Sequence, residues 1–332
     1  MADDKQTLGG SAPMRMGRRL SAMALGLLMA TSFVISTASC TKNSTPDEKT
    51  VTPSPIPSTQ TGPGLIGPMK RVKVGEVDYA YHAFGSGKPL VMIMGFSGTM
   101  SIWDTRLLAN LALDHQVTIF DNRGIGFSTD TATGPLTMES MADSTVALIE
   151  ALGLSRPDIV GWSMGGEIAL TIATRQGHKV DKVVAISADP GSANAIYASE
   201  DIDRELSDPN TTFDQLMHLL FPEDAKEAEK QYLDSLKGIQ QPPPNPQGIA
   251  RQAAAEDAYS TSNSNWDKLG SIKNPVLLMT GNKDLVVPAE NSAVMAGKIP
   301  GAWLAQFPGT GHGLPAQEPD RVAAVIKNFL AI

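Results

Sequence analysis

The 332-residue chain is 42% hydrophobic, 19% charged and 5% aromatic, enough apolar content for one large packed domain or two small ones, which excludes disorder throughout. Its 27 Lys and Arg against 35 Asp and Glu leave a net charge of −8, the wrong sign for attachment to nucleic-acid phosphates, so no nucleic-acid partner is expected. The single cysteine, Cys40, excludes an intramolecular disulfide and a thiolate metal cluster, so a packed core has to hold the fold.

Met14–Arg19 (MRMGRR) is basic, and Leu20–Ser39 then runs without a charge to Cys40. A basic region followed by an apolar stretch and small residues is the layout of an export signal. Ser36-Thr37-Ala38-Ser39-Cys40 resembles the bacterial lipoprotein signal, in which small residues precede a cysteine that receives lipid and becomes the mature N-terminus. The resemblance departs at Thr37, where that signal usually has leucine. It implies lipidation of Cys40 and a membrane-held place in a bacterial cell envelope; an uncleaved signal anchor and a plain signal leaving a secreted protein are the alternatives. From Thr41 to about Pro68 the chain turns to Thr, Ser, Pro and Gly, which cannot bury a core and reads as an extended spacer. The expected organisation is thus an export signal over 1–39, a disordered linker over 40–68 and a globular domain over 69–332.

Val72–Ala83 predicts an opening hairpin. Leu90–Met94, Val117–Phe120, Asp158–Val160 and Val183–Ile186 are short apolar runs, as expected of strands buried on both faces, and Pro275–Thr280 and Trp303–Phe307 complete a sheet. Helical patterns such as Met138–Leu152 and Glu167–Arg175 lie between them, so the fold class is α/β: a mostly parallel twisted sheet with helices on both faces. The regularity fails over about 190–265, which is acidic and helix-patterned at Asp214–Phe221 and Glu223–Leu236 and broken by a proline run at 242–246. That stretch reads as a helical lid insertion.

Gly161-Trp162-Ser163-Met164-Gly165 follows the strand at 158–160 and precedes a helix. In such a strand-to-helix elbow the turn is too sharp for a Cβ at the flanking positions, and it lifts the serine hydroxyl clear of the sheet. A serine nucleophile needs a base within hydrogen-bond reach, and the base needs a carboxylate to fix its tautomer. Of the five histidines, His312 lies in a glycine-rich loop after the last strand, whereas His82, His115 and His178 read as surface or packing residues and His218 sits on a lid helix, where it could line the pocket. Asp284 opens the loop after Val276–Thr280; Asp189, after Val183–Ser187, is the alternative acid. Asp121 and Arg123 read as an ion-paired loop that braces the elbow. Trp162, Phe213 and Met217 are candidate pocket residues, with Leu216, Leu220 and Tyr232 as further apolar candidates.

The order Ser163, Asp284, His312 and the loop Phe120-Asp-Asn-Arg-Gly-Ile-Gly-Phe-Ser128 resemble the α/β-hydrolase fold family, in its esterase, enol-lactonase and cofactor-free haloperoxidase group. The resemblance covers about Val72 to Ile332. It implies an exported hydrolase of a small ester or lactone, with Ser163, His312 and Asp284 as the triad, no cofactor or metal, and an oxyanion hole of the Phe96 and Met164 amides. The sequence departs from the family at Met94-Gly95-Phe96, where His-Gly is commoner, so bracing of that loop is expected from Ser97 or Thr99. Perhydrolysis and C–C bond hydrolysis would use the same three residues, while haloalkane dehalogenation is disfavoured because its elbow nucleophile is an aspartate. A non-catalytic surface binding lipoprotein on the same scaffold is the alternative from another class.

Overall fold

A computed structural model describes residues 63–207 and 213–332. The export signal and its Cys40, and the linker up to residue 62, lie outside the described residues. The end of the expected linker needs correction: Pro63–Ile66 (α1) is a helical turn, and Ile66 is buried in the core.

The strands are β1 (Lys70–Val74), β2 (Val77–Gly85), β3 (Lys88–Ile93), β4 (His115–Phe120), β5 (Thr129–Asp130), β6 (Asp158–Trp162), β7 (Val183–Ile186), β8 (Val276–Gly281) and β9 (Trp303–Phe307). Their order across the sheet is β1-β2-β4-β3-β6-β7-β8-β9, with β5 added beside β2. β1, β2 and β5 run antiparallel, the opening hairpin of the sequence pattern, and from β4 to β9 every pairing is parallel.

The connecting helices are α2 (Thr105–Ala112), α3 (Met138–Ala151), α4 (Met164–Gln176), α5 (Glu200–Ser207), α6 (Phe213–Leu220), α7 (Lys226–Ser235), α8 (Pro246–Ser260), α9 (Glu290–Ala296), α10 (Leu314–Gln317) and α11 (Pro319–Leu330). Alternation along the central strands divides the core in two. Val91, Ile159, Val183, Ala185 and Leu278 face α3 and α4, while Leu90, Met92, Val160, Val184 and Leu277 face α2 and α11. The apolar runs of the sequence are apolar because both of their faces are covered. Asp104 caps α2 by accepting the Arg106 amide at 2.7 Å, and Thr137 caps α3 in a reciprocal box with Ser140. Helices α5 to α8 all fall between β7 and β8. Only the first turn of α8 overlaps the proline run, which therefore precedes a helix by supplying proline at its N-terminus instead of ending the helical stretch.

Candidate active site

β6 runs straight into the turn that carries Ser163. A Cβ on Gly161 would lie 2.0 Å from the Gly165 carbonyl oxygen, and one on Gly165 would lie 2.1 Å from that of Ile93, so both places have to be glycine. Between them Ser163 takes φ 57° and ψ −127°, a backbone conformation that costs a residue with a Cβ roughly 1–3 kcal/mol. The turn is pinned by the Ser163 amide, which donates to Ile186 at 2.8 Å, and by the Gly166 amide, which donates to the Ser163 carbonyl at 2.7 Å. α4 begins at the next residue, so its unpaired first-turn amides and positive dipole end lie at the serine. Gly95, on the loop after β3, packs against the same turn: a Cβ there would sit 3.6 Å from Ser163 Oγ.

Asp284 follows β8 and His312 follows β9, so adjacent parallel strands deliver both to one sheet edge. His312 Nδ1 lies 3.0 Å and 3.1 Å from the two carboxylate oxygens of Asp284, with the aspartate side chain fully buried and the imidazole 7% exposed. The Val286 and Val287 amides donate to Asp284 Oδ1 at 3.0 and 2.8 Å, which fixes the carboxylate from its own loop. The Trp162 indole donates to the His312 carbonyl at 2.9 Å and its ring centroid is 6.0 Å from the imidazole, so the strand that carries the serine also holds the histidine loop. Asp189 is turned elsewhere: its Oδ1 accepts the Gly191 amide at 2.8 Å.

Ser163 and His312 line one cavity of about 220 Å³. Phe96, Ser97 and Thr99 come to it from the loop after β3, Leu216, Met217 and Leu220 from α6, Tyr232 from α7, and Ile249 and Glu256 from α8. Of the expected pocket residues, Trp162 and Met217 line this cavity; the side chain of Phe213 lies outside the described residues. The Met164 side chain is buried in the core on the α3 and α4 face. His218 is not among the lining residues and stands 3.4 Å from Glu205, so its expected place in the pocket is corrected. Among the described residues no three His, Cys, Asp or Glu side chains gather in a way that could hold a metal ion.

The loop beside Ser163 is braced differently from expectation. The Ser97 and Thr99 hydroxyls have no hydrogen-bond partner among the described residues. Instead the Asn122 amide group donates to the Met94 carbonyl at 2.8 Å, Asp121 accepts the Met100 amide at 2.7 Å, and Gln252 accepts the Ser97 amide at 2.8 Å. Asp121 and Arg123 do not pair with each other. Arg123 pairs with Asp130 at 2.9 Å, joined there by Arg251 at 2.8 Å, while Asp121 is spent on the amides of Met100 and Phe127. Burial pushes the Asp121 carboxyl up to about 6, against the pull of those two amides. At Asp130 burial acts in the same direction, and Arg123, the Ala132 amide and Arg251 outweigh it and hold the carboxyl below the usual carboxylate range.

Sequence reasoning missed two buried carboxyl groups in the cavity, Glu167 and Glu256. Glu167 could have been found as an acid one helical turn after the elbow serine. Glu256 carried no such signal. Both lie close enough to Tyr259 for their charges, with that of Asp189, to add to the burial that holds its phenol well above the usual range.

The family model described as alpha/beta hydrolase fold matches residues 88–319. The chain belongs to the alpha/beta hydrolase fold family. It is similar to the protein named "Putative carbamate hydrolase RutD" in Caulobacter sp. (strain K31), 29% identical over 272 residues that cover 77% of this chain and 97% of that one. It is likewise similar to the 2-hydroxymuconate semialdehyde hydrolase of Pseudomonas sp. (strain CF600), 28% identical over 267 residues, 75% of this chain and 89% of the relative. Among solved structures, an alpha/beta hydrolase fold protein from Chitinophaga pinensis superposes with a TM-score of 0.72 at 25% identity, covering 80% of this chain and 98% of the other. The protein is therefore a hydrolase of this fold.

Proposed function

We propose that this hydrolase cleaves a carboxylic ester or lactone through an acyl-enzyme on Ser163. The carrying observation is that Ser163, held at a strained elbow, shares a cavity with His312, whose Nδ1 rests on the buried Asp284 carboxylate. That contact leaves Nε2 as the free ring nitrogen for the serine proton. Ser163 Oγ attacks the carbonyl, His312 takes its proton and delivers it to the leaving alcohol, and Asp284 keeps the imidazole in one tautomer. Water then repeats the sequence and releases the acid. By the family resemblance the Phe96 and Met164 amides receive the oxyanion. The packing of Gly95 against Ser163 and the start of α4 at Met164 support that assignment. Among the described residues no lysine or arginine lines the cavity to pair with a carboxylate, which supports an uncharged ester of small to medium size.

The test is fluorophosphonate treatment of the full chain followed by intact-mass analysis. A single adduct is expected on the wild type and none on Ser163→Ala. His312→Ala should label about 10²–10⁴ times more slowly, the usual contribution of a general base. A folded wild type that takes no adduct would overturn the reading. Unlabelled enzyme is then offered esters, lactones, carbamates and a vinylogous diketone with and without peroxide, because the same three residues also serve perhydrolysis and C–C cleavage.

Export and lipidation at Cys40 belong to the same reading, supported by the basic, uncharged and small-residue succession over 14–40. Mass analysis of the native N-terminus decides it: a mature chain that begins before Cys40 removes the lipid anchor.

A further inference from the structure

The Ser97 amide donates to Gln252 Oε1 at 2.8 Å, a bond between residues 155 positions apart, and the Gln252 side chain is fully buried. That bond falls on the one peptide that decides the shape of the loop after β3. The Gly98 amide donates to the Gly95 carbonyl at 3.3 Å, closing a four-residue turn with Phe96 and Ser97 at its centre. Ser97 has φ 54°, while Phe96 is not among the residues of positive φ. Negative then positive φ is the type II pattern, which differs from the commoner type I by a flip of the central peptide and ordinarily asks for glycine at the second central place. A serine there is held against its own preference. Among the described residues its hydroxyl and that of Thr99 have no hydrogen-bond partner, so neither side chain does the holding there.

We propose that Gln252 is the positioning residue of the oxyanion loop. Its side-chain carbonyl keeps the Phe96–Ser97 peptide in the type II orientation and thereby fixes the neighbouring Phe96 amide over Ser163. The inference rests on the reading that the Phe96 amide stabilises the oxyanion. Gln252 is suited to the task because its helix is itself anchored to the next loop: Asn245 donates to the Gly124 carbonyl at 2.7 Å, and Arg251 meets Asp130 at 2.8 Å. Without an acceptor at 252 the turn loses its tie to α8, the Phe96–Ser97 peptide is free to flip towards type I, Ser97 escapes its positive φ, and the loosened turn carries the preceding Phe96 amide away from a site that tolerates little misplacement.

The experiment compares Gln252→Met, which keeps the length and removes the acceptor, with Gln252→Glu, which retains an acceptor oxygen, both in the full chain. The readouts are kcat and KM for p-nitrophenyl butyrate and the affinity for an aryl trifluoromethyl ketone. On that ketone Ser163 Oγ bonds to the carbonyl carbon, its proton passes to His312, and the carbonyl oxygen becomes the oxyanion. Gln252→Met should lose about 10–100-fold in kcat and a matching factor in ketone affinity, with KM within about threefold. Gln252→Glu should hold both within about threefold. A purely structural role would lower the melting temperature and the active fraction but leave the ketone affinity of the folded molecules unchanged. Wild-type kcat and ketone affinity in Gln252→Met overturn the proposal while fluorophosphonate labelling of Ser163 leaves the hydrolase mechanism standing. A wild type that does not label at Ser163 overturns both. Should Gln252→Met fail to fold, Gln252→Glu decides, and a fall of more than about tenfold in its kcat overturns the proposal.

Discussion

Asp121 illustrates how a loop residue beside the site can matter without touching substrate. Its two oxygens accept the Met100 and Phe127 amides, and the second bond exists because Gly126 lets the backbone pass: a Cβ there would lie 2.3 Å from the carboxylate. Burial raises its pKa from the ordinary 3.8 to about 6, so the folded protein holds this proton more tightly than the unfolded chain does. The stabilising contribution of that proton is complete below about pH 4 and is lost as pH rises through about 6, a change of roughly 3 kcal/mol. Thermal melts of wild type and Asp121→Asn at pH 4 and pH 7 should show the wild type losing several degrees relative to the variant between the two; a constant gap would mean an ordinary carboxyl. Gly165→Ala belongs to the same scale. The added Cβ meets the Ile93 carbonyl at 2.1 Å, so a loss of about 2–4 kcal/mol in stability and of all fluorophosphonate labelling is expected, read by denaturant titration and intact mass. The flanking glycines were legible in the sequence because their requirement is local. The partner of Arg123 was not, because Asp121 and Asp130 are both within reach along the chain and only the fold chooses between them.

At the level of elements, α8 is the piece that sequence patterning undervalued. Its buried apolar side chains are mostly small, alanines beside Ile249 and Tyr259, and its docking also draws on Asn245, Arg251 and Gln252, polar side chains whose partners lie more than a hundred positions away. Hydrophobic periodicity contains no information about such bonds. Gly248 permits the close approach, since a Cβ there would lie 1.9 Å from the Gly124 carbonyl oxygen. One aspect of this docking can be measured. Arg123→Ala should destabilise the protein more than Arg251→Ala, by about 1 kcal/mol, because Arg123 gives Asp130 two bonds and is the less exposed of the pair. Equal losses in urea titrations would show that the two guanidiniums are interchangeable.

Across the whole molecule, the strand succession apart from β5, the glycine-flanked turn at Ser163 and the Asp284 and His312 loops could be read in order from the chain, since each depends on a short apolar run and the residues that end it. Strand order was not legible in the sequence, because β4 inserts between β2 and β3 for reasons of long-range packing. The described residues begin with α1, whose Ile66 joins the core on the α2 and α11 face. A chain starting at Pro63 should therefore melt within about 2 °C of the full one and label equally fast; a larger drop would assign stability to the preceding residues. Trp162 has one more consequence. Its indole is 5% exposed, 5.9 Å from the Trp103 ring and 6.0 Å from the His312 imidazole, whereas Trp303 on the edge strand is 45% exposed. The molecule thus carries its own optical probe: with the wet Trp303 silenced by a collisional quencher, the difference in emission between wild type and Trp162→Phe should report whether the cavity is filled.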